Sequence, residues 1–157
     1  MNCGRPVLIL VLSVLLTFLA WTAKAAEPTF DQTARYILEI VKAFRTAYVL
    51  EVVEHLREGG VVPQEDWQKD SHYVPLPAQF VKAAADQVKG FEMGLIGLSP
   101  LNPANRPRTL AESDALLQLE KNRDVRVLSF VDGDQLKAVS ADLAIVQSCV
   151  DCHNNHD

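Results

Sequence analysis

Apolar side chains recur at steps of three and four between Asp31 and Glu58, at Ile37, Val41, Phe44, Tyr48, Val52 and His55. That spacing is one face of an α-helix. Arg35, Glu39, Lys42, Arg45 and Glu58 lie mostly off the stripe and give the helix its polar side. Asp31 is the expected N-cap and Gly59-Gly60 the expected stop. A helix over 31–58 is much longer than the average of about 11–12 residues. Part of it is therefore expected to project from the domain or to pack on a partner, which makes it a candidate homodimer surface.

Residues 61–77 contain three prolines and read as irregular chain. A second helix is predicted from Pro77 to Lys89, with Phe80, Val81, Ala84 and Val88 on one side. Phe91 to Leu98 is short, apolar and ended by Ser99-Pro100, and reads as a strand. Pro100, Pro103 and Pro107, with Arg106 and Arg108, mark a loop over 99–108. Leu110 to Lys121 reads as a third helix. In Val125–Ile145, alternating residues, an Asp132-Gly133 turn and a return from Leu136 to Val146 predict a β-hairpin. The pattern is α+β in one domain, without internal repeats.

Ahead of the long helix the pattern changes. Arg5 precedes an apolar stretch from Val7 to Ala20, broken only by Ser13 and Thr17, and Ala23-Lys24-Ala25 follows as a small-x-small cleavage pattern. Residues 1–26 are expected to be a secretory signal, leaving residues 27–157 as the mature domain and a periplasmic location. The rival is an uncleaved anchor, for which the apolar run is short against the ~20 residues a span needs. Cys3 lies ahead of the apolar region and does not fit a lipoprotein cysteine. Cleavage would remove Arg5 and Lys24, leaving 13 basic against 20 acidic residues and a net charge of −7. An acidic surface of this kind argues against nucleic acid and anionic membranes, which need clustered Lys and Arg.

Cleavage would also leave Cys149 and Cys152 as the only cysteines, both within Cys149-Val150-Asp151-Cys152-His153. Two thiols separated by two residues reach both vinyl groups of one haem, and the histidine after the second supplies the proximal iron ligand. The expected cofactor is one covalent haem c. The competing chemistries are a redox dithiol, which belongs at a helix start early in a fold, and half a zinc site. Zinc would need two more ligands, of which His156 is one candidate. Common small helical cytochromes carry this motif near the N-terminus, whereas everything that could cover the haem here lies upstream.

The second iron ligand stays open at this level. Met93 is the thioether candidate, with packing as its ordinary role. His55 and His72 are its rivals, His55 on the apolar stripe and His72 in the proline-bounded loop. Tyr48 or water on an open distal side is a further option. Arg106 and Arg108 are candidates for the haem propionates, because a guanidinium matches a carboxylate in two bonds. Trp67 and Tyr73 are candidates to pack near the macrocycle.

Val74-Pro75-Leu76-Pro77-Ala78-Gln79-Phe80-Val81, then Ser99-Pro100-Leu101-Asn102-Pro103-Ala104-Asn105-Arg106-Pro107, then Cys149–His153 with Asn154-Asn155-His156, follow in order. In this the chain resembles the c-haem-binding PAS-like domain of bacterial periplasmic proteins. That family includes sensor parts of histidine kinases and chemotaxis receptors, and a cyanobacterial monohaem cytochrome. The resemblance spans roughly Asp31 to the end. It implies a PAS-like antiparallel sheet with a long N-terminal helix, and haem on Cys149, Cys152 and His153. The cyanobacterial member draws its distal ligand from a cysteine in its N-terminal helical part, and the mature chain has no third cysteine to match it.

Two functions follow as expectations. The first is a periplasmic monohaem c-type cytochrome in electron transfer with a redox partner protein. The second is a haem-based redox or gas sensor acting through a signalling partner. A haem enzyme such as a peroxidase ranks third, since no distal His/Arg pair can be picked out.

Overall fold

A computed structural model describes residues 28–154. The expected signal, residues 1–26, and His156 lie outside the described residues. The chain opens on a long helix. Its first part, α1 (Phe30–Ala47), runs through a π-helical stretch (Tyr48–Val53) into a short α2 (Glu54–Arg57). The N-cap is Thr29 rather than Asp31. Its hydroxyl accepts from the Gln32 N–H, and the Gln32 side chain accepts from the Thr29 N–H. This capping box is legible in Thr29-Phe30-Asp31-Gln32, and it leaves Asp31 in the first turn, where a negative charge also suits the helix dipole. The stop is where expected. Gly59 and Gly60 donate to Leu56 and Arg57 carbonyls, and Gly60 takes a positive φ of 82°.

The buried face departs from the predicted stripe. Tyr48, Val49 and Val53 are buried, whereas Phe44 is 67% exposed and Val52 and His55 face outward. A π turn holds more residues than an α turn, so the face pointing inward shifts by one position after Tyr48. The regular stripe continues on paper to Val52 and His55, but the helix turns Val49 and Val53 into the core instead.

Two short strands follow, β1 (Val62–Gln64) and β2 (Tyr73–Pro75), paired in parallel, with a 3₁₀ turn (Trp67–Lys69) between them. Next is α3 (Pro77–Ala85), with Pro77 in its first turn and the Leu76 N–H donating to Gln79 Oε1. It ends at Ala85, short of Lys89, and buries Val81 and Ala85, while Ala84 and Val88 are exposed. The Tyr48 ring stacks on Phe80 with centroids 4.3 Å apart, and its hydroxyl donates to the Pro75 carbonyl at 2.7 Å, locking the π turn against α3 and β2.

The strand predicted over 91–98 does not form. An isolated strand leaves its backbone groups without partners, and glycines at 94 and 97 weaken it further. The segment is irregular and closes a loop in which the Gly97 N–H donates to the Asn105 carbonyl. Asn102 caps the 3₁₀ turn Pro103–Asn105 through the Ala104 N–H.

Helix α4 (Leu110–Lys121) lies as predicted, with Ala115 and Leu119 buried. The hairpin is present but shorter than predicted, β3 (Leu128–Asp132) and β4 (Gln135–Val139). Its loop is Gly133-Asp134, Gly133 having the positive φ of 65° that a type II′ turn places at its first central residue. The last element is α5 (Gln147–Asn154). The architecture is a mixture of helices and small sheets, with the long N-terminal helix anticipated for an α+β chain. The described residues hold two separate two-stranded sheets, of which only β3–β4 is antiparallel, rather than one continuous antiparallel sheet.

A polar cluster joins α4 to the hairpin. Lys137 Nζ reaches Glu112 Oε1 at 2.8 Å and Asp132 Oδ2 at 2.6 Å. The Arg108 N–H donates to Glu112 Oε2, and the Thr109 hydroxyl caps the Glu112 N–H while donating to Asp132. The hydrogen bond from the Lys137 ammonium is the main reason that the Glu112 and Asp132 carboxyls lie below their ordinary pKa values, and the bonds to Asp132 and then Glu112 hold Lys137 above its own. The carboxylates' contribution to stability is complete above their unfolded values near 4 and disappears as pH falls through the lower folded ones. The lysine's contribution is present below its unfolded value and disappears only at strongly alkaline pH.

Denaturant unfolding followed across the acid range should therefore show stability dropping below about pH 4, with a shallower drop in Glu112→Gln. Val49→Ala empties the most deeply buried site of the long helix and should cost about 2 kcal/mol, read as a lower midpoint at unchanged m-value.

Candidate functional site

The Cys149–His153 motif lies on α5, whose eight residues span Gln147–Asn154. On a helix, residues three and four apart share a face. Cys149 therefore stands beside Cys152, one turn on, and beside His153. Cys149 is half-buried, Cys152 and His153 are exposed, and both thiols are free. The helix thus offers two unpaired thiols and an imidazole along one arc of its surface, which suits a planar group bonded at two points and ligated at a third. Haem c is such a group, so these residues fit it. Among the described residues, no three His, Cys, Asp or Glu side chains come together as a site for a bare metal ion.

The arm that carries α5 is tied to the long helix at two points. Arg45 Nη2 donates to Asp142 Oδ1 at 2.6 Å and to the Leu143 carbonyl at 3.0 Å. Ser148 Oγ donates to Glu54 Oε1 at 2.8 Å, immediately before Cys149. The two anchors are nine helix positions apart, about 13 Å, so residues 142–148 run alongside the long helix in its own direction. Arg45 is largely buried, and its Nε has no partner, so the pair with Asp142 is shielded from solvent on one side. Within α5, Gln147 Nε2 donates to Asp151 Oδ1 across one turn. Nothing local in the sequence signals these ties, whose partners lie more than ninety positions apart.

Glu54 also borders an open cleft of about 560 Å³ on the outer face of the helix end, lined by Leu50, Glu51, Glu54, His55, Arg57 and Glu58. His55 is thereby placed one residue from the side chain that holds Ser148. The other ligand candidates are placed differently. Met93 is half-buried in the irregular 88–98 segment. His72 is exposed, and its Nδ1 lies 2.9 Å from Asp70 Oδ1, which also accepts the His72 N–H. These bonds hold the Asp70 carboxyl below its usual range. Tyr48 is committed to Pro75 and Phe80, and burial pushes its hydroxyl pKa up.

Arg106 and Arg108 are both exposed on the proline loop and its exit. Trp67 and Tyr73 are half-buried in the 3₁₀ turn and β2. The structure thus brings Cys149, Cys152 and His153 together on one helix, beside the end of the long helix that carries His55.

The Tll0287-like family model matches residues 23–157. The chain belongs to the Tll0287-like family, and the match covers the α5 motif together with the whole described fold. Membership is compatible with the haem-binding domain that the motif implies. No curated protein and no solved structure matches the chain.

If the two ties alone hold the arm, Arg45→Met and Ser148→Ala should speed hydrogen exchange over 141–154. Exchange in the hairpin and α4 should stay unchanged, because neither element shares those contacts.

Proposed function

We propose that this protein is a periplasmic monohaem c-type cytochrome that transfers electrons to and from a redox partner protein. The observation that carries the reading is the single-helix presentation of Cys149, Cys152 and His153, with both thiols free and Cys152 and His153 exposed. Bound there, haem supplies one-electron chemistry at its iron. The thiols of Cys149 and Cys152 would hold the macrocycle by two thioether bonds, and His153 would supply an imidazole ligand to the iron. The ties through Arg45 and Glu54 fix the helix that bears them. Cys152 and His153 are exposed, so a group held there would be open to approach by a partner.

For the second ligand Met93 is the candidate, with His55 and His72 as its rivals. Met93 is half-buried, whereas His55 is exposed and the His72 ring is engaged by Asp70. The acidic surface, with 20 acidic against 15 basic residues in the full chain, suits a basic partner. It is unsuited to nucleic acid.

Haem staining of a denaturing gel should detect a covalent haem in the native protein. Cys149→Ser with Cys152→Ser should abolish it, and a stain that persists would overturn the assignment. The ferric and ferrous spectra should be six-coordinate and low-spin and indifferent to CO. A high-spin ferrous form that binds CO would favour the alternative, a haem-based sensor. With Met93 as ligand, Met93→Ala should convert the ferric EPR signal from low-spin to high-spin and leave the stain intact, whereas His55→Ala should not.

A further inference from the structure

One end of the molecule exposes apolar side chains from several elements. Phe30, the first residue of α1, is 41% exposed, Val131 on β3 66% and Leu136 on β4 61%. Val131 and Leu136 stand opposite each other across the hairpin, and with Phe30 they line an open groove of about 340 Å³. Alternate residues of a strand face opposite sides. The side that carries Asp132 and Lys137 is engaged by Thr109 and Glu112 of α4 and its cap, which leaves the Val131–Leu136 side to the groove. Leu110, 84% exposed, begins α4 at this same end, next to the Thr109 that bonds to Asp132. Single exposed apolar residues are ordinary, whereas a group of them at one end marks a contact surface.

We infer that this surface rests on a lipid bilayer, to which an uncleaved N-terminal segment ties it. The described chain begins here, since Pro28 and Thr29 precede Phe30 and Thr29 lines the groove. In the sequence, only Lys24 to Pro28 separate Thr29 from Ala23. Five residues reach at most about 18 Å. Counted from charge to charge rather than over its most apolar part, the N-terminal stretch is longer than Val7–Ala20. Pro6 to Ala23 is 18 residues without a charge, between Arg5 and Lys24. That length is enough for a span of the hydrocarbon core. Trp21 near its outer end suits the interface, and Arg5 suits the cytoplasmic side. Tethered so closely, the groove meets the bilayer at high effective concentration, and a small apolar patch is enough to dock. Removal of the segment after Ala25 would instead leave the patch beside a free N-terminus, with no described element over it.

Asp31 lines the groove and Asp134 is exposed in the hairpin loop, so anionic headgroups would be repelled. The contact is therefore apolar, made with zwitterionic lipid and insensitive to salt. Phe30 and Glu54 lie about 35 Å apart along the long helix. Ser148, bonded to Glu54, precedes Cys149, so the cysteine motif is carried to the other end of that helix. Docking uses none of the motif's side chains and stands independently of the haem assignment.

The test uses the full chain, produced with its N-terminal segment in a secreting bacterium. The intact mass of the purified protein should include the segment before Glu27, and the protein should stay with the membranes through carbonate and high-salt washes. In phosphatidylcholine vesicles, a photoreactive benzoylphenylalanine replacing Val131 or Leu136 should crosslink to lipid severalfold more than one replacing Arg57, at the far end of the helix. Val131→Asp should lower crosslinking from position 136 severalfold, with unchanged far-ultraviolet circular dichroism and the chain still in the membrane. A soluble protein that begins after Ala25 would overturn the proposal. So would lipid crosslinking no greater at 131 and 136 than at 57, or crosslinking from 136 that Val131→Asp leaves unchanged.

Discussion

The π turn at Tyr48–Val53 sets the geometry of this protein. It rotates the second part of the long helix relative to the first, so that Val49 and Val53 enter the core and Glu54 is presented to the C-terminal arm. Tyr48 fixes it from inside, stacked on Phe80 and bonded to the Pro75 carbonyl. A regular α-helix in its place would bring Val52 and His55 toward the core and carry Glu54 away from Ser148. Packing of α3 and placement of the haem motif therefore depend on the same few residues. The extra residue per turn has an energetic cost within the helix, offset by the aromatic stack and the buried valines.

Elements built from local rules were legible in the sequence. The long helix, α4 and the hairpin follow from periodicity and turn chemistry, and the spacing of two cysteines and a histidine is the ground of the haem reading proposed above. Misplaced features were those decided by distant partners. The stripe broke at the π turn because periodicity assumes a constant number of residues per turn. Phe91–Leu98 has a strand's composition, yet a strand exists only where another offers its hydrogen bonds. The Thr29 capping box was readable but hidden by the stronger expectation for Asp31.

The segments that carried the family resemblance prove to be devices of chain geometry in this fold. Val74-Pro75-Leu76-Pro77 ends β2, supplies the carbonyl for Tyr48 and starts α3. Asn102-Pro103-Ala104-Asn105 folds as a capped 3₁₀ turn beneath the Gly97–Asn105 bond. Arg106 follows that turn and stays exposed. Its neighbours shape the loop without drawing its guanidinium into the core.

The well-buried apolar side chains among the described residues are Tyr48, Val49, Val53, Val81, Ala85, Ala115 and Leu119, and none belongs to the Cys149–His153 motif. The core therefore assembles without any contribution from the Cys149–His153 side chains. The motif is a late addition to the surface of a domain whose interior lies elsewhere, joined to it by two side-chain ties. The protein resembles a finished handle to which a working head is fitted last.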